Sequence, residues 1–164
     1  KHNYCRQEAA FAEIAGLLLS KGARILRSGK NTTALIEAVR NRHFLMADAL
    51  LMSGNRIDSA DSNGDNVLHA ICQSAGDIAY DIKRTEERIA DFSERWYPER
   101  DKRETDEKLE SLREADKLCF STAKRILENG QIDPEDKNNI GKTAFDIAME
   151  EGARRFLKSE AKRS

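Results

Sequence analysis

Three stretches of this sequence repeat one another, and a repeat constrains the fold more than any single residue does. The first is Asn31-Thr32-Thr33-Ala34-Leu35-Ile36-Glu37-Ala38-Val39. The second is Asn63-Gly64-Asp65-Asn66-Val67-Leu68-His69-Ala70-Ile71, and the third is Ile140-Gly141-Lys142-Thr143-Ala144-Phe145-Asp146-Ile147-Ala148. From Leu35 to Leu68 is 33 residues, and from Leu68 to Phe145 is 77, which is 33 plus an insertion of 44. A second signal runs in phase with the first. Leu18-Leu19-Ser20-Lys21-Gly22, Leu50-Leu51-Met52-Ser53-Gly54 and Ile126-Leu127-Glu128-Asn129-Gly130 each read as the end of an apolar-faced helix stopped by glycine. Glycine takes the left-handed conformation beyond a helix end without a Cβ clash. The unit is therefore helix, short turn, helix, glycine stop, polar loop.

These two motifs resemble those of the ankyrin repeat family. In its 33-residue unit a Thr-Pro-Leu-His segment opens the first helix and a Leu-Leu-x-x-Gly-Ala segment closes the second. The first segment appears as Thr33-Ala34-Leu35-Ile36, Asn66-Val67-Leu68-His69 and Thr143-Ala144-Phe145-Asp146, and the second most fully as Leu18 to Ala23. The copies lack the motif's proline, and only one keeps its histidine. The resemblance implies an all-α fold, an ankyrin-repeat solenoid of stacked helix pairs with about three repeats and a partial N-terminal unit. Repeat boundaries fall near 1–28, 29–61, 62–138 and 139–164 within one domain. Residues 152–164 read as a terminal cap, because a last repeat must replace its outer apolar face with polar residues.

Residues 77–117 interrupt the repeat that begins at 62, and 24 of these 41 residues are charged, a composition that a disordered loop would also have. Periodicity favours structure. Ile71, Ala75, Ile78, Ile82, Thr85, Ile89, Phe92 and Trp96 alternate at spacings of four and three, and Thr105, Leu109, Leu112, Ala115, Cys119, Thr122 and Ile126 keep nearly the same rhythm. Folded antiparallel, the halves pair Ile89 with Leu109, Thr85 with Leu112, Ile78 with Cys119 and Ile71 with Ile126. That arithmetic puts the turn at Pro98-Glu99, where a proline already breaks a helix. The expectation is an inserted antiparallel helical hairpin projecting about 30 Å, with a tip that frays for lack of aliphatic residues in 99–108. Trp96 and Tyr97 stand beside that tip, either as a docking knob or with Trp96 closing the seam.

Composition narrows the function. The 28 basic and 29 acidic residues give a net charge of −1, which removes the electrostatic case for a dedicated nucleic-acid binder. No apolar run approaches the ~18–20 residues of a membrane span. Cys5, Cys72 and Cys119 form no close pair and suit a reducing compartment, the cytoplasm, or a host cytosol if the chain is exported. The first residue, Lys1, and the missing basic-then-apolar leader read as a processed or excised piece.

Motifs of chemistry are incomplete. Gly141-Lys142-Thr143 ends like a phosphate loop, but Asp136 replaces the earlier glycine and no strand pattern precedes it. Asp61-Ser62-Asn63-Gly64-Asp65 begins like a calcium loop, yet Asn66 and Cys72 stand where glycine and glutamate are needed, so a self-bonded turn is the better reading. His69 falls at the family's motif position, where the imidazole bridges backbone groups of adjoining loops, and His43 opens a second helix. Neither belongs to a metal cluster. No nucleophile–base set is evident, so no cofactor, metal or catalytic residue is expected.

The resemblance implies a non-enzymatic adaptor or scaffold that recognises a protein partner. By position, its contacts fall on loop tips, namely Arg56, Asp58, Ser59, Asp61, Ser62, Asn63 and Asp65, then Gln131, Asp133, Glu135, Lys137, Asn138 and Asn139. On helix faces they are Glu37, Arg40, Asn41, Gln73, Ser74, Glu150 and Glu151. The rim leans acidic and favours a basic partner segment. Two other readings are a homodimer formed through the hairpin and a regulatory domain of a larger protein whose catalytic part lies elsewhere.

Overall fold

The computed structural model describes residues 3–24, 33–53, 57, 59–94 and 96–148, with side chains described from Glu8 onward except at 93 and 94. These residues form helices, turns and loops without a strand. In order the helices are α1 (Asn3–Ser20), α2 (Ala34–Arg40), α3 (Phe44–Met52), α4 (Val67–Glu94) and α5 (Glu99–Asn129). Residues 144–148 are also helical. Helix α1 packs on α3, α2 on α3 and α4, and α3 on α5, while α4 and α5 lie along each other.

The repeated motifs set the helix starts. Thr33 caps α2, its hydroxyl accepting from the Ile36 N–H at 3.3 Å. Asn66 caps α4, its Oδ1 accepting from the N–H groups of Leu68 and His69 at 2.9 and 3.2 Å. Thr143 does the same for the 144–148 helix, accepting from the Asp146 N–H, while the Asp146 carboxylate accepts from the Thr143 N–H and hydroxyl. That is a reciprocal capping box, and it lowers the pKa of Asp146 from its ordinary value through the backbone bond first and the hydroxyl second. Helix ends follow the glycine signal. Gly22 closes α1 at φ 87°, with the Ala23 and Gly22 N–H groups returning to Leu18 and Leu19, and Gly130 closes α5 at φ 69°. At the end of α2 the left-handed position is held by Arg42 at φ 62° instead, a conformation that costs a side-chain-bearing residue about 1 kcal/mol.

The core runs through all these elements. Ile36, Val39, Phe44, Val67, His69, Ile78, Thr122 and Ile126 are the largest fully enclosed side chains. Polar ties fix the packing. The Ser74 hydroxyl donates to the Val39 carbonyl at 2.9 Å, adding to the Arg42 N–H bond that this carbonyl already accepts at the end of α2. The Thr122 hydroxyl donates to Asp48 at 3.0 Å, joining α5 to α3.

The α4–α5 pair is antiparallel, since Glu86 meets Arg113 at 3.2 Å while Cys119 approaches the Ile71 carbonyl at 4.0 Å. Pro98, at φ −58°, caps α5 with its carbonyl accepting from the Asp101 and Lys102 N–H groups. Thr85, Thr105, Leu109 and Leu112 are buried along the seam, and the helical structure continues to both sides of the turn. Near the base the register departs from the heptad arithmetic. Cys119, which that arithmetic pairs with Ile78, approaches the Ile71 carbonyl at 4.0 Å instead, a shift of about one helical turn or more. The reason is that α4 is also seated on α2 and α5 on α3. Those contacts, not a two-helix seam, set the register at that end.

Candidate functional site

Two polar loops precede equivalent helices and are built alike. In the first, Asp61 Oδ1 accepts from the N–H groups of Asn63 and Asp65 at 2.8 and 3.0 Å, and its backbone closes onto Gly64 and Asp65. In the second, Asn138 Oδ1 accepts from the N–H groups of Ile140 and Lys142 at 3.2 and 3.0 Å, with matching backbone bonds to Gly141 and Lys142. Every partner is displaced by 77 residues. Gly64 and Gly141 hold the same left-handed corner, at φ 75° and 79°.

The two loops dock edge to edge. The Asn139 N–H donates to the Asn63 carbonyl at 2.9 Å and the Asn139 amide to the Ser62 carbonyl at 3.0 Å. A Cβ on Gly64 would lie 2.5 Å from Asn139 Oδ1 and 2.8 Å from its backbone nitrogen. His69 Nε2 sits 2.9 Å from the Lys142 carbonyl, so the imidazole joins the first turn of α4 to the second loop.

Arg40, on α2, completes the cluster. Its guanidinium reaches Asp61 at 2.7 Å and Asp65 at 3.1 Å, and the Asn138 amide donates to the other Asp65 oxygen at 2.8 Å. All four oxygens of the two carboxylates thus have donors. Burial pushes the Asp61 carboxyl up, but the Arg40 hydrogen bond and the Asn63 and Asp65 N–H groups outweigh it, and the net pKa is lowered.

The expected contact residues therefore divide. Arg40, Asp61, Asp65 and Asn138 come together, and their side chains face one another, with Asp65 and Asn138 buried. Asn63, Ser62, Gln131, Asp133, Glu135, Lys137 and Asn139 stay exposed, as does Asn41, while Ser59, Glu37 and Gln73 are half-buried and Ser74 is buried. The Gln131 side chain accepts from the Ile57 N–H at 3.2 Å, a further bond between the units. Among the described carboxylates of the acidic rim, Asp133, Glu135 and Asp136 face solvent. Arg56, Asp58, Glu150, Glu151 and the cap at 152–164 lie outside the described residues.

Trp96 and Tyr97 lie at the other end of α4, whose 28 residues separate them from the loops by about 40 Å. Tyr97 folds back onto the last turns of α4. Its ring packs on Phe92 at 4.7 Å, its hydroxyl donates to Asp91 at 2.6 Å, and Arg88 covers the Phe92 ring at 5.8 Å. Trp96 is 88% exposed. It directly precedes Tyr97 and the Pro98 that caps α5.

Cys72 and Cys119 are free thiols. Burial, with Asp116 and Cys72 adding to it, pushes Cys119 up to about 12, and burial also raises Cys72, so neither forms a thiolate readily. Among the described residues no group of three or more His, Cys, Asp or Glu side chains could hold a metal ion, and no described helix is long and apolar enough to cross a membrane. Compared with known proteins, the chain matches no family model and no curated sequence.

Proposed function

We propose that this chain is a non-enzymatic protein-interaction module of stacked, ankyrin-like helix pairs, with α4 and α5 extended into an inserted hairpin that engages a partner protein. The duplicated loop bonds at a 77-residue offset and the three matching helix caps support the repeat reading. Free thiols support a reducing compartment, and the carboxylates at 133–136 support a basic segment in any partner that also touches the rim.

The observation that carries the proposal is the exposure of Trp96 beside the turn into α5. Tryptophan is the kind of side chain that dominates interface energies. Affinity capture with the intact chain tests it. Trp96→Ala is expected to weaken the captured complex by at least about 30-fold, near 2 kcal/mol, and to leave the melting temperature unchanged. Joint neutralisation of Asp133, Glu135 and Asp136 should instead produce a smaller, salt-dependent loss. Undiminished binding by Trp96→Ala would refute the role assigned to the tip.

A further inference from the structure

Between α1, the turn that joins α2 to α3, and α5 lies a cleft of about 180 Å³. That is below the ~300–1,000 Å³ of a drug-sized site and suits a single side chain or a small molecule. Its apolar lining is Phe44, Leu112, Ala115 and Leu118, and Ser111 and Glu114 are exposed members of the same wall.

Glu8 adds a carboxylate to this lining, although the residue is only 8% exposed. Its Oε1 accepts from the Leu45 N–H at 3.0 Å, and among the described residues Glu8 makes no other hydrogen bond and no ion pair. Its Oε2 is therefore left without a donor. The polar neighbours are engaged elsewhere. Arg42 pairs with Asp81 at 2.8 Å, Glu114 with Lys117 at 3.3 Å, and the Asn41 amide donates to the Glu37 carbonyl at 2.9 Å. A shielded carboxylate is costly until its oxygens are bonded and its charge is paired. A water molecule would bond Oε2 and leave the charge uncompensated.

We infer that this cleft takes a primary ammonium group on a short alkyl chain, with the ammonium at Glu8 Oε2 and the chain along Phe44, Leu112, Ala115 and Leu118. A lysine side chain has that form, an apolar stem ending in a compact charge with three donors, and so does a free alkylamine. A guanidinium fork fits less well, because it matches two open carboxylate oxygens and Leu45 already occupies one. The site involves neither Trp96 nor the carboxylates at 133–136, so it stands independently of the roles proposed for them.

Titrating the intact chain with n-butylammonium, and with a blocked peptide carrying one lysine, tests this through amide chemical shifts. Both should move the Leu45 amide, which reports on Glu8, with dissociation constants on the order of 1–10 mM. n-Butanol, and the same peptide with its lysine acetylated, should bind at least about tenfold more weakly. Glu8→Gln keeps an oxygen for the Leu45 N–H and removes the charge, so it should weaken both cations at least about tenfold while circular dichroism stays the same. Ser111→Lys alters an exposed position and sets a competing ammonium beside the cleft, so it should weaken them as well without disturbing the fold. Tighter binding of the peptide assigns the site to a partner's lysine, and tighter binding of n-butylammonium assigns it to a free amine. The inference is overturned by an unmoved Leu45 amide up to about 50 mM cation, by equal binding of n-butanol, or by undiminished binding in Glu8→Gln.

Discussion

The paired loops and the hairpin tip are both polar, and they are held by different means. In the loops a few charged groups are shielded and fully bonded, so each group depends on the others being in place. Along the outer hairpin the ion pairs Arg100–Glu104, Lys102–Glu99, Arg113–Glu86 and Lys117–Glu114 lie largely in solvent, where each contributes a few tenths of a kcal/mol. The seam there rests on Leu109, Leu112 and two threonines whose hydroxyls return to carbonyls of their own helices. One region is brittle and the other tolerant, although charge is dense in both. What distinguishes them is shielding, not the number of charges.

Removing Arg40 should have the largest effect on this contrast. Arg40→Ala leaves Asp61 and Asp65 without their cation in a shielded site, a loss of about 3 kcal/mol. Calorimetry should show it as a fall of roughly 6–12 °C in melting temperature. Acid sensitivity should change as well. Because the folded-state pKa of Asp61 is lowered, its contribution is present above the unfolded value near 3.9 and is lost as pH falls through the folded one. In Arg40→Ala the acid unfolding limb should begin at higher pH. Gly64→Ala comes next, at about 2 kcal/mol, because it adds left-handed strain and collides with Asn139. Hydrogen exchange should then speed up at the Asn139 amide. Glu86→Gln, which breaks the cross-helix pair of the hairpin, should change stability by less than about 0.5 kcal/mol. A drop there comparable to that of Arg40→Ala would erase the distinction between the regions.

Much of this was legible in the sequence, for local reasons. Thr33, Asn66 and Thr143 are cap residues by their own chemistry, and proline is disfavoured in a helix interior, so the caps and the turn could be placed without coordinates. The base register of α4 and α5 could not, because it answers to α2 and α3 as well as to the pair. Asp61, Asp65 and Asn138 read as a solvated rim, and the bonds that join them across the loops were missed. A signal for them existed. Asp61-x-x-Gly64 and Asn138-x-x-Gly141 carry the same turn chemistry at the repeat offset. Between Trp96 and Tyr97, spacing alone favoured the tryptophan for the seam. The structure leaves the tryptophan exposed and packs the tyrosine on Phe92. Nothing in the sequence flagged Glu8, since its partner is a backbone group 37 residues away.

That contact has a consequence for how the chain assembles. Helix α3 spans nine residues and has His43 as its N-cap, whose side chain makes no capping bond. A carboxylate from a different helix satisfies its first turn instead. So short a segment has little tendency to form alone, and its start signal arrives only when α1 is already in place. The first and third helices should therefore appear together in time, as one kinetic step. An isolated peptide covering residues 33–53 should remain mostly unstructured.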